Sequence, residues 1–579
     1  MLHFHSIFKL FLLVFYASSF LGIKAFGQKI YPKQDFISPL EIPLYLAGNF
    51  GELRSNHFHS GIDIKTQGRT GLNVFAVANG YVSRIKVSPY GYGKAIYIRH
   101  ANGYTTVYAH LESFTPEIEA YVNRQQYAQK TFKIELYPGA KQFVFKQGDQ
   151  IGVSGNSGGS VAPHLHFEIR ETASEIPVNP LLFEFDIKDD IPPVISELHL
   201  YPADNETQIN GKSSKKMIRL SGSNGSYSIP QNQSIEVSGP FFAGLRMFDR
   251  LNEMQNKCGV FEVNLRMDDV LMYHHRMEKF AFRETRYLNA LVDYDLKMRK
   301  DVWVEKSVIL PNNKLSIYGV NKKDGLLNPT KEISTLEYEV LDAYGNKSTL
   351  NINIKRVTQI TNEPGSITQK PVKKFKYNQA NSFESENVLV YLPSNVLYED
   401  LDFNFWVDDT LENALCPLYN IHDINTPLHS YMALSINLAN IHRNIRKYCM
   451  IISLDEDGKV VSEGGYWKGD YLIVKTRSFG AYTVKLDSIR PTLTPINLPE
   501  NADMSNKKSI IIKAEDNLSG VDKYDAYIDE QWVLLEFDYK KKRLMHYFRD
   551  DLTQGPHTFK MVVRDKIGNQ TILETDFVR

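Results

Sequence analysis

Cysteine is scarce: three occur in 579 residues, an odd number that rules out a fully paired disulfide framework within one chain. Cys416 and Cys449 are a pair that an oxidising compartment could join, whereas Cys258, in "NKCGV", reads as a small buried residue rather than a nucleophile. An excess of either charge is also lacking, with 67 basic residues against 67 acidic ones. Such a balance gives no electrostatic pull toward nucleic acid. After Ile23 no run is long and apolar enough to span a bilayer. The glycines of "GVSGNSGGSVAPHLHFEIR" lack the Gly-Lys-Ser/Thr ending and the following helix of a phosphate loop, so they read as turns.

What is present begins with "MLHFHSIFKLFLLVFYASSFLGIKAFG". This stretch has Lys9, no acidic residue, an apolar run from Leu10 to Ile23 and a small-x-small ending at Ala25 and Gly27. Residues 1–27 therefore read as a signal peptide cut before Gln28. No cysteine stands near that site, which argues against a lipid anchor. The mature chain, with a net charge of about −2 once Lys9 and Lys24 are removed, is expected to be exported to the periplasm or cell envelope, or secreted. Its length predicts three or four domains.

The stretch "HFHSGID" at 57–63 puts two histidines and an aspartate close together. Gly61 before the alternation of Ile62, Asp63 and Ile64 favours a turn entering a strand, and spacing alone leaves open which side chain could bind a metal. Further on, "GKAIYIRH" and "TTVYAH", joined through Asn102-Gly103, predict a β-hairpin of a twisted antiparallel sheet. After Pro163 the alternation is strict, with Leu165, Phe167 and Ile169 on one face and His164, His166 and Glu168 on the other. Two histidines and a carboxylate thus project together from a rigid element.

The motifs "HSGID" (59–63), "YAHL" (108–111) and "PHLHFEIR" (163–170), with "AVANGYV" and "GYGKAIYIRHANGYTTVYAHL" between them, resemble the LytM or lysostaphin-type zinc endopeptidases of bacterial cell walls. The resemblance covers residues from about 45 to 180 and implies an antiparallel β-sheet metallopeptidase domain of the duplicated hybrid motif type. It implies Zn²⁺ as cofactor, held by His59, Asp63 and His166, with His57 left as a neighbour. Two imidazoles and a carboxylate would leave the ion a net positive charge and an open fourth position. His110 and His164 match the family's further active-site histidines, implying that they handle the proton of the attacking water and stabilise the oxyanion, in an order the sequence leaves open. His100 is read as structural. Glu168 is either a partner that fixes a histidine tautomer or an ordinary surface carboxylate. Between "YAHL" and "KQGDQIGVSG" this chain carries some thirty residues where most members have a short connection. Thr115 as N-cap, Pro116 at the first position, and Ile118 with Val122 on one side predict a short helix that borders the groove or packs on the sheet.

Beyond "NPLLFEFDIKDD" the composition shifts. "IPPVISELHL" recurs as "IRPTLTPINL", and "DAYGNKSTL" recurs as "DKIGNQTIL", which marks an internal repeat. We expect a mainly β chain: a peptidase domain over 28–190, an immunoglobulin-like β-sandwich with an insertion over 191–355, and a linker over 356–375. A β-rich domain of unknown role over 376–488 and a second immunoglobulin-like sandwich over 489–579 complete it. His422, His429 and His442 share no strand face and are assigned loop or packing roles.

The expected function is a zinc metalloendopeptidase acting on peptidoglycan peptide stems. The alternatives are a non-catalytic LytM-type activator of a cell-wall amidase and a zinc protease of exported proteins. Since every expected catalytic residue precedes 190, the sequence predicts that residues 28–190 carry the chemistry alone. The β-domains would then bind an envelope protein or glycan.

Overall fold

The structure, a computed structural model, describes residues 31–231, 233–319, 323–358 and 371–579. The expected signal peptide and most of the expected linker lie outside the described residues. The chain is mainly β, with mostly antiparallel sheets and few helices. Among the described residues no helix is long and apolar enough to cross a membrane.

The N-terminal sheet has eleven strands, among them β1 (Leu46–Gly48), β2 (Ile62–Lys65), β3 (Gly80–Val87), β4 (Lys94–His100), β5 (Tyr104–Phe114), β6 (Val144–Phe145), β7 (Gln150–Ser154) and β8 (His164–Glu171). Its main path runs β1-β2-β8-β5-β4-β3-β6, with β7 bonded to β5 off that path. The alternation of β4 and β5 gives the hairpin expected for it, with Arg99 opposite Thr105 and Gly103 at φ +85° in the turn. Central β8 pairs with β2 and with β5, placing His166 opposite both Asp63 and Ala109. Ile62, Ile64, Val82, Tyr108, Leu165 and Phe167 fill the core beneath.

The predicted helix, α1, spans Pro116–Gln129, with Thr115 extended at its start but making no side-chain cap and Lys130 closing it in a left-handed conformation. Ile118 and Val122 are buried against the sheet core, a burial contributing roughly 1.5–3 kcal/mol for each side chain. The helix borders the C-terminal sandwich as well: Tyr127 meets Trp532 edge-on at 5.5 Å, and the Arg549 guanidinium lies 4.8 Å from the Tyr127 ring centre.

Both repeats fold as β-sandwiches, the first with four- and seven-stranded sheets and the second with four- and five-stranded sheets. Each adds a short strand parallel to its last strand, 235–237 along 354–356 and 502–503 along 577–578. Two five-stranded sheets close over a separate core in the region between. All three cysteines are free and buried, so Cys416 and Cys449 do not pair. His422 stacks on Phe403 and His429 on Tyr287, while His442 caps a short 3-10 helix.

The first sandwich does more than follow the N-terminal sheet. Phe50 and Phe58 share a buried cluster with Phe261, Met277, Phe280 and Leu288. The Asn49 side chain brackets Gly259, donating to its carbonyl and accepting from its N–H, both at 2.8 Å. The segment leading into "HSGID" is therefore packed from both sides.

Candidate metal centre

His57 and His59 part company at a tight hairpin. Leu53–Arg54 pairs with His57–Phe58, which leaves His57 exposed with its ring on the Ser55 carbonyl. The chain then turns at Ser60-Gly61 into β2. A side chain at Gly61 would stand 2.3 Å from the Phe167 carbonyl, so glycine lets β2 approach β8 closely enough for Asp63 and His166 to meet.

His59, Asp63 and His166 converge, each 4 % exposed. His59 Nε2 lies 3.0 Å from Asp63 Oδ1 and 3.0 Å from His166 Nδ1, and His166 Nδ1 lies 2.8 Å from Asp63 Oδ1. The remaining atom of each group is tied back. His59 Nδ1 meets the Asn49 carbonyl at 2.7 Å; a carbonyl can only accept, so the proton sits on Nδ1 and the Nε2 lone pair faces inward. Asp63 Oδ2 accepts from Arg54 Nη2 at 2.8 Å. His166 Nε2 donates to Glu168 Oε1 at 2.8 Å, which frees Nδ1.

Glu168 is no surface carboxylate. It is fully buried and also accepts from Ser60, Tyr92 and Arg170. Burial alone would raise its pKa, but the Arg170 charge and the His166 hydrogen bond outweigh it and hold the carboxyl far below the usual range. Burial also lowers His59 and leaves it neutral. At His166 the hydrogen bonds it donates to Asp63 and Glu168 overcome burial and lift the metal-free ring to about 9. Asp63, despite burial, is held well below the carboxylate range by its electrostatic interaction with the adjacent His59 ring and by hydrogen bonds from His164, His166 and His59.

His110 and His164 flank this group, their ring centres 4.8 Å apart and that of His110 5.9 Å from His166. His110 Nδ1 meets the Ser157 carbonyl at 2.9 Å, and His164 Nδ1 meets the Ala162 carbonyl at 2.9 Å. Both Nε2 atoms are thereby left for the groove, with His164 Nε2 3.4 Å from Asp63 Oδ1. His110 has φ +61°, and the pairing of β5 with β4 shifts register just before it. That irregularity turns its ring toward the centre. Burial, followed by the His166 and His164 charges, lowers its pKa to about 3. His100 is buried between the Asn79 carbonyl and Thr106, away from this cluster.

The loop behind both rings is gripped from the far end of the chain. In the last sandwich β9 (Val521–Ile528) and β10 (Gln531–Val533) belong to the five-stranded sheet, and β11 (Glu536–Asp538) and β12 (Arg543–Tyr547) to the four-stranded one. From the β11–β12 turn Lys540 Nζ donates to the carbonyls of Asn156 at 2.6 Å and Ser160 at 3.0 Å. Tyr539 packs on Tyr90 at 4.9 Å. Arg54, Asn49 and Lys540 carry no signal in the sequence, because each acts through a contact that only the tertiary fold creates.

Comparison with known proteins places this geometry: residues 57–180 match peptidase family M23. The chain carries a peptidase family M23 domain. That domain is similar to DD-carboxypeptidase/endopeptidase Mpg of Neisseria meningitidis serogroup B, 35 % identical over 129 residues, which are 22 % of this chain and 23 % of the relative. It is also similar to the cell division protein DipM of Caulobacter vibrioides, 28 % identical over 125 residues, 22 % of this chain and 16 % of the relative. Among solved structures, a zinc containing peptidase from Vibrio cholerae is 24 % identical over 25 % of this chain and 39 % of that one, with a TM-score of 0.19. The match thus spans less than a quarter of the length of either curated relative. Outside the M23 domain, residues 372–487 match a Zu5-like domain.

Proposed function

We propose that this chain is an exported zinc endopeptidase that hydrolyses peptide cross-links of peptidoglycan in cell-wall remodelling. In this reading His59, Asp63 and His166 are the metal ligands, His110 and His164 are catalytic, and the site acts from the periplasm or cell envelope. The domain division is the one expected above, with the β-domains after residue 190 positioning the M23 domain on the polymer.

The observation that carries the reading is the set of three donor atoms within 3.0 Å of one another. Their donor chemistry fits zinc: two imidazole nitrogens whose proton-bearing atoms are tied elsewhere, and one carboxylate oxygen whose twin is held by arginine. When bound, zinc supplies Lewis acidity and favours a nucleophilic water at neutral pH. The protein supplies the rest. With Nδ1 of His110 and of His164 donating to backbone carbonyls, each Nε2 begins as an acceptor, able to take a proton from the nucleophile. Once charged, the same atom is a donor to the oxyanion or to the leaving amine. Burial of His110 keeps it neutral at rest, which readies it for the first of these steps.

Single substitutions test the division of labour. Asp63→Ala or His166→Ala should lower zinc affinity by orders of magnitude and abolish turnover. His110→Ala or His164→Ala should retain one equivalent of zinc while turnover falls roughly a hundredfold or more. His57→Ala should change neither. Zinc loss in the His110 variant, or retention in the His166 variant, contradicts the assignment.

A further inference from the structure

Two more carboxylate clusters lie far from the M23 site, one in each sandwich. Asp189, Asp249 and Asp342 bring one oxygen each to within 4.8 Å of one another, and Asp487, Asp516 and Asp565 do the same. The two clusters are copies. The first aspartate stands in Asp-x-Ile-x-Pro in both repeats, the second in Asp-x-Leu, and the third in the Asp-x-x-Gly-Asn turn. In both, the turn's asparagine side chain donates to the backbone carbonyl of the first aspartate, Asn346 to Asp189 at 3.1 Å and Asn569 to Asp487 at 3.0 Å.

Five of the six aspartates keep one oxygen bare, while Asp342 accepts on Oδ1 from the N–H groups of Tyr344 and Asn346 and on Oδ2 from the Asn346 side chain. Asp189, Asp487, Asp516 and Asp565 each have one oxygen on a backbone N–H: of Ile191, Ser519, Gly520 and Gly568 respectively. The other oxygen of all four, and one of Asp249, is buried without a hydrogen-bond partner. Asp249, Asp487 and Asp565 are 3 %, 0 % and 3 % exposed. Buried acceptors left bare in this way are costly unless something satisfies them, and three convergent carboxylates call for a cation. The available donors are all oxygen, with neither imidazole nor thiolate among them. A hard divalent ion suits them, and Ca²⁺ suits them better than Mg²⁺, which seldom accepts three protein carboxylates in its strict octahedron.

From this geometry we infer that the chain holds two structural Ca²⁺ ions, one at the root of each repeated sandwich. Each ion would tie the segment entering the sandwich to a middle loop and to the turn before the last strand. Asp189 comes two residues after Ile187, which with Phe185 is buried in the M23-domain core, and Asp487 is the last of the residues matching the Zu5-like domain. Both ions thus sit at joints between domains, where binding stiffens the linkage.

The test uses the full chain preloaded with zinc, dialysed against Ca²⁺ at about 1 mM, a concentration that fills all but the weakest extracellular sites. Two calcium ions per chain should bind and raise Tm by about 5 °C. Asp249→Asn and Asp565→Asn should each leave one calcium ion, and the double variant none, with zinc content and the far-UV spectrum unchanged. If either variant fails that folding check, Asp189→Asn or Asp516→Asn replaces it with the same expectation. Absence of calcium from the parent chain, two ions retained in the double variant, or Mg²⁺ filling both sites as tightly as Ca²⁺ would each overturn the inference.

Discussion

Glu168→Gln keeps the shape of a buried side chain and removes its charge, which makes it a stringent probe of how the metal centre is held. The carboxylate accepts from His166 Nε2 at 2.8 Å and from Arg170 Nε at 2.6 Å. A Gln amide can turn its oxygen to only one of them. If it serves Arg170, its NH₂ faces His166 Nε2 and favours the tautomer with the proton on Nδ1, the atom proposed to bind the metal. Loss of such an outer partner costs about 10–100-fold in metal affinity, or roughly 1.4–2.7 kcal/mol. A second cost falls on the metal-free fold. The Arg170 and Glu168 side chains are 5 % and 0 % exposed, and stranding one member of such a pair costs about 3–5 kcal/mol. Glu175, 3.3 Å from Arg170 and half exposed, should keep the loss near the lower figure. The pH dependence has a definite sign. Glu168's folded pKa lies below its unfolded one, so its contribution is fully present above about pH 4.3 and fades only as pH falls toward the folded value. The Gln variant should therefore show a flatter acid limb of stability. Competition with a chromophoric chelator measures zinc affinity, and thermal melts of the metal-free protein from pH 3 to 7 measure the rest. Zinc affinity within twofold of the parent, together with an unchanged acid limb, would refute the reasoning.

Two further outcomes follow from the same geometry. Zinc binding near pH 7 should release close to one proton, because metal-free His166 titrates at about 9 while His59 is already neutral and Asp63 already ionised; affinity should then rise about tenfold per pH unit up to that value. Calorimetry in buffers of different ionisation enthalpy reads the proton count, and a count of zero contradicts the charge assignment. Truncation after residue 190 should weaken zinc binding and lower Tm. It bares Phe50 and Phe58, each worth roughly 1.5–3 kcal/mol of burial, and removes the Gly259 partner of Asn49, whose carbonyl orients His59. A fragment equal to the full chain in zinc titration and melting would restore the view that 28–190 stands alone.

The strand alternation of "PHLHFEIR" and the turn in "HSGID" were legible because a period of two and a glycine report directly on local backbone. The β4–β5 hairpin and the start of α1 were legible for the same reason, and the two sandwiches were visible through their repeated turn sequence. What escaped is set by contacts between distant segments. Arg54 reaches Asp63 only because a two-residue hairpin folds beneath it, and His110 is aimed by a register shift that its sequence does not mark. The packing of Phe50 and Phe58 on residues 261–288 reads in the sequence as ordinary hydrophobicity. In each repeat the aspartate triad draws on three segments, of which only the last, in its Asp-x-x-Gly-Asn turn, stood out by itself.

The most direct test of the account is digestion of purified sacculi by the zinc-loaded full chain, with released fragments identified by mass spectrometry and the zinc-loaded His110→Ala variant run beside it. The account predicts cross-linked stem peptides cut at a peptide bond, with fragment release falling roughly a hundredfold in the variant at equal zinc content. Intact cross-links after treatment with a chain holding a full equivalent of zinc, or equal release by both proteins, would contradict it.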